Sequence, residues 1–245
     1  MKRTLLIGLL LTSLAGCVTI QDQRQASALK DLGTSYLMEG NTPLAIKTLM
    51  QARELNPKDA RIQHELGLAY FARGLGVEAE DCFKRALELD PTLTEARLNL
   101  AGLYISVERY ADAIPLLEQT VADPTYKAPD RAYNNLGWCY YQMGRRNDAE
   151  RAYNQALQLS PHFCHAWYNK GLLYDDDGNI AETFTAYSRA VQYCPDEPSY
   201  ALSFGILLMR LDRMAEARTY FQRVAAADPD GGLGQKAREY LQVLR

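Results

Sequence analysis

Residues 134–161 read NNLGWCYYQMGRRNDAERAYNQALQLSP. Leu136, Gly137 and Tyr140 fall at helical spacing in the first part, and Ala149 and Tyr153 do so in the second. Gly144 between them suits a tight turn, because glycine takes the left-handed backbone without a Cβ clash. Pro161 ends the second stretch, since it lacks an N–H to donate and disfavours helix in the residue before it. The stretch predicts two short helices folded back on each other. Gly137 and Ala149 are small where the two must approach most closely.

The same pattern recurs along the chain. Gly33, Gly67, Gly137, Gly171 and Gly205 are spaced 34, 70, 34 and 34, and so are Pro57, Pro91, Pro161, Pro195 and Pro229. The gap of 70 holds one further unit with a two-residue insertion, marked by Ala101-Gly102 and Pro124. Leu-Gly-x-x-Tyr appears at Leu32, Leu66 and Leu136, and the Ala-x3-Phe/Tyr step at Ala79, Ala149 and Ala217. The fifth unit departs from the pattern, with Lys170 where Leu is usual and Thr183 where Ala is usual. A 34-residue period of this composition resembles the tetratricopeptide repeat. The resemblance implies an all-α fold: a right-handed superhelical solenoid of six helix-turn-helix repeats over residues 26–231. One such hairpin cannot bury its apolar face alone, so neighbours stack into a continuous core. Residues 232–245 read as a C-terminal capping helix, with Leu241 and Leu244 inward and Lys236, Arg238 and Glu239 outward.

Composition sets the outer bounds. The 245 residues are 47% hydrophobic and 23% charged, which excludes a disordered chain. Lys plus Arg is 27 against 30 for Asp plus Glu, so the basic excess of a nucleic-acid binder is absent. Sixteen Tyr belong to the repeat, and only three His argue against a metalloenzyme.

The first sixteen residues stand apart. Lys2 and Arg3 precede an apolar run from Thr4 to Leu14, shorter than the roughly 20 residues a spanning helix requires. Leu14-Ala15-Gly16-Cys17 resembles a bacterial lipobox. That implies a signal peptide over residues 1–16, lipidation of Cys17 and a tether over residues 17–25. Loss of Lys2 and Arg3 moves the formal charge from −3 to −5. Val18 after the Cys, by resemblance to enterobacterial sorting, implies the outer membrane, with the chain facing the periplasm. The eight residues from Val18 to Gln25, if extended, reach roughly 25–28 Å.

In tetratricopeptide superhelices the first helix of each unit lines the concave groove, and that resemblance supplies candidate partner contacts. Its apolar members are Leu37 and Met38 in the first unit, Leu68 and Phe71 in the second, and Leu98 and Ile105 in the third. Trp138 and Tyr141 follow in the fourth, Tyr168 and Leu172 in the fifth, and Leu202, Ile206 and Met209 in the sixth. An apolar trough suits an amphipathic helix or an extended segment of another protein. Trp138 and Tyr141 are the natural anchors, because large aromatic side chains dominate interface energetics. The groove differs from the chaperone-binding type, which clamps a C-terminal carboxylate: Lys30 fits, but Thr34 stands where Asn is needed.

Catalytic and metal chemistry find little support. His162, Cys164 and His165 with Cys194 could be drawn as metal ligands, but they lie at a repeat junction in an exported chain, where paired Cys oxidise. Asp175-Asp176-Asp177-Gly178 fails as a calcium loop, having Ile180 and Ala186 where Gly and Glu are required. No enzyme, cofactor or metal site is therefore expected. Four Cys remain beside Cys17. Cys164 opens the first helix of the fifth unit and Cys194 closes its second, so their ends lie side by side and a Cys164–Cys194 disulfide is expected. Cys139–Cys164 is the rival pairing, and Cys82 is expected to stay free.

A lipobox, a short tether and six such units resemble the type IV pilus biogenesis lipoproteins, the PilF/PilW/Tgl group of secretin pilotins. Asp123-Pro124-Thr125-Tyr126 followed by Asn135-Leu136-Gly137 is a local match to that group. The resemblance implies a non-enzymatic lipoprotein that binds the outer-membrane secretin subunit and promotes its multimerisation, serving pilus assembly and pilus-dependent motility. The same architecture also serves adaptors for cell-wall hydrolases, proteases or outer-membrane protein assembly. Self-association is left open by the residues.

Overall fold

A computed structural model of the chain describes residues 18–244. Among them are thirteen helices and no strand. The signal peptide and Cys17 lie outside the described residues. The helices fall into two compact units, divided between Pro91 and Thr92.

The first unit holds α1 (Ile20–Met38), α2 (Thr42–Leu55), α3 (Ala60–Ala72) and α4 (Gly76–Leu89) as two hairpins. The second holds α5 (Thr94–Ser106), α6 (Tyr110–Val121), α7 (Pro129–Gln142), α8 (Arg146–Leu159), α9 (Cys164–Asp176), α10 (Ile180–Tyr193), α11 (Pro198–Arg210) and α12 (Met214–Ala227). Those eight form four hairpins, and α13 (Gly232–Val243) packs on α12 with Ala237 buried.

Five of the six hairpins close on a ring or branched side chain that fills the space a glycine leaves. A Cβ on Gly137 would stand 2.6 Å from the Tyr153 ring, and one on Gly67 would stand 2.6 Å from Phe83. Tyr153, Tyr187, Phe83 and Phe221 are accordingly among the largest fully buried side chains. Burying the Phe83 and Phe221 rings contributes about 1.5–3 kcal/mol each. The third unit differs, with Ala101 at the glycine's step and Leu117 in place of the facing ring, both fully buried.

Turns inside the hairpins use Gly40, Gly74, Gly144 and Gly178 at φ between +69° and +80°. In the third and sixth units the same left-handed position is taken by Glu108 (φ +60°) and Asp212 (φ +59°). The insertion in the third unit follows a shorter helix: α6 has 12 residues against 14 in α2, α4, α8, α10 and α12. The loop after it is tied down by Asp123, which accepts from Thr94 Oγ1 at 2.6 Å and from Thr125 N and Oγ1 at 2.9 and 2.7 Å. These bonds hold its carboxyl down at about 2, with Thr125 the larger cause and Thr94 next.

One expectation is corrected. The segment before residue 26 is not extended, because α1 begins at Ile20. Thr19 and Asp22 form a reciprocal capping box that starts the helix six residues early. From Ile20 onward the chain rises about 1.5 Å per residue instead of about 3.3 Å.

Candidate partner-binding face

The first helices of the hairpins carry the candidate contacts, and the two units are taken in turn. In the first, Met38 is 85% and Phe71 41% exposed, whereas Leu37 and Leu68 are half-buried and Leu37 packs on the core. Thr34, at the place where a carboxylate clamp requires Asn, donates to Glu65 Oε2 at 3.1 Å and so ties α1 to α3. Lys30 is paired with Asp31 at 2.9 Å. Glu65 is held below the usual carboxylate range, chiefly by its bond with His64.

In the second unit Leu98, Ile105, Trp138, Tyr141, Tyr168, Leu172, Ile206 and Met209 are all half-buried, each presenting part of its surface. Leu202 is the exception. At 5% exposure it belongs to the core cluster of α9 to α13, so it is removed from the candidate face. Its helix α11 is closed in on several sides, with Tyr200, Phe204, Leu207 and Leu208 buried around it. Trp138 and Tyr141, one turn apart, bring their rings to 5.5 Å.

The arrangement between these helices is polar. Asn169 Nδ2 donates to Asn134 Oδ1 at 3.0 Å, and the Tyr141 hydroxyl donates to Asp176 Oδ2 at 2.6 Å. Tyr168 and Ser203 share a hydroxyl–hydroxyl bond at 3.1 Å, and Arg210 pairs with Asp175 at 2.5 Å. Each link joins residues 35 apart, so α7 is bonded to α9, and α9 to α11, on one face. Arg146 adds an ion pair to Asp177 at 2.6 Å. The Asp175-Asp176-Asp177 run is thus a three-armed tie among the fourth, fifth and sixth hairpins. The sequence signal of this role is the match of donors and acceptors at a spacing of 35. Burial and the Asp176 bond push the Tyr141 hydroxyl up to about 12, so it remains a donor at neutral pH.

Cys164 and Cys194 are joined by a disulfide, with Cα atoms 5.9 Å apart, across the start of α9 and the end of α10. Cys82 and Cys139 are free and buried, and burial pushes their thiols up to about 11 and about 12. His162 meets Tyr193 edge-on at 4.7 Å, and His165 Nδ1 lies 3.5 Å from Cys164 Sγ. Among the described residues, no group of three or more His, Cys, Asp or Glu side chains is arranged to hold a metal ion. No described helix is long and apolar enough to cross a membrane.

Comparison with known proteins matches tetratricopeptide-repeat families to residues 30–93 and 183–232, 70–124, 130–163 and 165–197. The type IV pilus assembly protein PilF of Pseudomonas aeruginosa is 26% identical, aligning over 99% of this chain and 85% of its own length. The solved structure of Pseudomonas aeruginosa PilF covers 89% of this chain and 99% of its own at a TM-score of 0.76 and 20% identity. That of PilW, described as a widely conserved type IV pilus biogenesis factor, covers 87% and 98% at a TM-score of 0.78, also with 20% identity. The human protein O-mannosyl-transferase TMTC1 is 28% identical over 84% of this chain, but the match takes in only 24% of the transferase.

Proposed function

We infer that this chain, which belongs to the tetratricopeptide-repeat family and is homologous to PilF and PilW, serves type IV pilus biogenesis as a non-enzymatic binding protein. The observation that carries the reading is two-sided coverage: the alignment with PilF takes in nearly all of this chain and most of its relative. The match to the transferase leaves most of that protein outside.

In this reading Cys17 is lipidated and holds the chain at the outer membrane, facing the periplasm, and the partner is the secretin subunit of the pilus machinery. Multiple acyl chains on one residue anchor far more firmly than a single one. The first-helix face supplies the capture surface. Trp138, Tyr168, Leu172 and Ile206 present apolar atoms from helices already locked together by the Tyr141–Asp176, Tyr168–Ser203 and Asp175–Arg210 links. A face ordered before the partner arrives loses little entropy on binding. Held there, an apolar segment of an unassembled subunit is kept from aggregating until it multimerises.

The test is deletion of the gene followed by gel analysis of heat-treated membranes for secretin multimers. Loss of multimers with retained monomer is expected, and restoration by the wild-type chain completes it. Normal multimers in the deletion strain reject the secretin assignment.

A further inference from the structure

We propose that a cleft between the fourth and fifth hairpins is a carboxylate subsite of the docking face, one that takes an internal Asp or Glu side chain of an extended partner segment. The cleft, of about 360 Å³, is lined by Arg131, Asn134, Asn135, Phe163 and His165. Its lining offers donors from two successive first helices and contains no carboxylate.

Each donor is available. Arg131 is exposed and makes no ion pair among the described residues. Asn134 is 8% exposed and its Oδ1 is taken by Asn169, which leaves its amide N–H groups to the cleft. His165 turns Nδ1 toward Cys164 Sγ, leaving Nε2, and its ring is braced by Phe163 at 5.5 Å and Tyr200 at 5.9 Å. The Cys164–Cys194 disulfide fixes the residue next to it. A guanidinium fork with amide donors beside it is the arrangement that recognises a planar carboxylate.

The surroundings identify the occupant as a peptide segment passing through. Trp138 lies one helical turn beyond Asn134 and Asn135, and Tyr168 one turn beyond His165, so half-exposed rings flank the donors. The first-helix face continues past the cleft through Leu172 and Ile206. A segment following that face presents side chains to the cleft, not its end. An acidic residue between apolar ones matches this order of groups, and Arg at such a position gives an interface its specificity.

This inference rests on the first-helix face being the docking surface, and the experiment separates the two. The mature chain carrying Cys17→Ser is titrated with three nonapeptides. The first is acetylated and amidated with a central Glu between Phe and Leu residues. The second has Gln for Glu. The third is the Gln peptide with a free C-terminal carboxylate. Binding is read from NMR shifts of the Trp138 indole and the Asn134 and Asn135 amides. The Glu peptide is expected to bind about tenfold tighter than its Gln counterpart, as a charge-assisted bond contributes. Arg131→Gln, checked for unchanged helical content, is expected to erase that preference by weakening the Glu peptide. Equal affinities with a shifted Trp138 overturn the carboxylate site and keep the docking face. No shift of Trp138 with any peptide overturns both. A preference that survives Arg131→Gln combined with His165→Gln, or a free-acid peptide that outbinds the Glu peptide, also overturns the assignment.

Discussion

The hydroxyl of Tyr141 donates to Oδ2 of Asp176, thirty-five residues further along, at 2.6 Å. The bond fastens α7 to α9 and assigns Tyr141 a structural duty beside its place on the proposed docking face. Tyr141→Phe removes the donor and keeps the ring against Trp138. Because Asp176 is largely exposed, the expected loss is modest, about 1 kcal/mol, seen as a lower urea midpoint. A double-mutant cycle with Asp176→Asn should show the two changes to be non-additive.

Trp138 has no such duty in the links between helices, so Trp138→Ala is the clean probe of partner capture. Helical content and midpoint should stay close to wild type while co-purification of the secretin subunit falls. A large loss of stability would place Trp138 in the core instead.

Two glycines in first helices should respond with opposite signs. Gly137→Ala drives a methyl to within 2.6 Å of the buried Tyr153 ring, and overpacking of this kind costs about 1–3 kcal/mol. Gly102→Ala meets nothing within 4 Å inside α5, where alanine is the better helix former by about 0.8–1 kcal/mol. Thermal midpoints of the two variants should move down and up respectively.

Why the period was legible and the ties were not follows from these residues. A buried ring such as Tyr153 requires a missing Cβ on the facing helix, so Gly137 and its counterparts recur every 34 residues. The Tyr141–Asp176, Asn134–Asn169 and Tyr168–Ser203 bonds join residues 35 apart, one step off the period. Aligning like with like therefore never puts the partners in one column. The turns at Glu108 and Asp212 carry no glycine to mark them. The early start of α1 rests on Thr19 and Asp22, a local capping pair outside the repeat. Leu202 has the helix position of a groove residue, and only the packing of α9 to α13 reveals it as core.

The cysteines allow a direct count. In the mature chain with Cys17→Ser, native protein at pH 8 should resist alkylation, since Cys82 and Cys139 are buried and their thiols are pushed well above that pH. Denaturant without reductant should expose two reactive thiols, and denaturant with reductant four. Cys164→Ser opens a loop whose ends are 30 residues apart, for which the chain-entropy argument gives a loss of about 3–4 kcal/mol.

Acid should loosen the loop that carries the insertion. Asp123 is held at about 2 in the folded chain by Thr125 and Thr94, against about 3.9 when unfolded. A depressed carboxyl stabilises the fold in its charged form. Its contribution is therefore complete above the unfolded value and is lost as pH falls from about 4 through about 2. Asp123→Asn removes that charge at every pH. The gap in urea midpoint between wild type and variant should be constant from pH 8 to pH 5 and should close between pH 4 and pH 2. Thr94→Val, which deletes the 2.6 Å donor from α5, should narrow that window by raising the pH at which the loop is released. A gap that persists unchanged at pH 2 would mean that the Asp123 charge does not hold this loop.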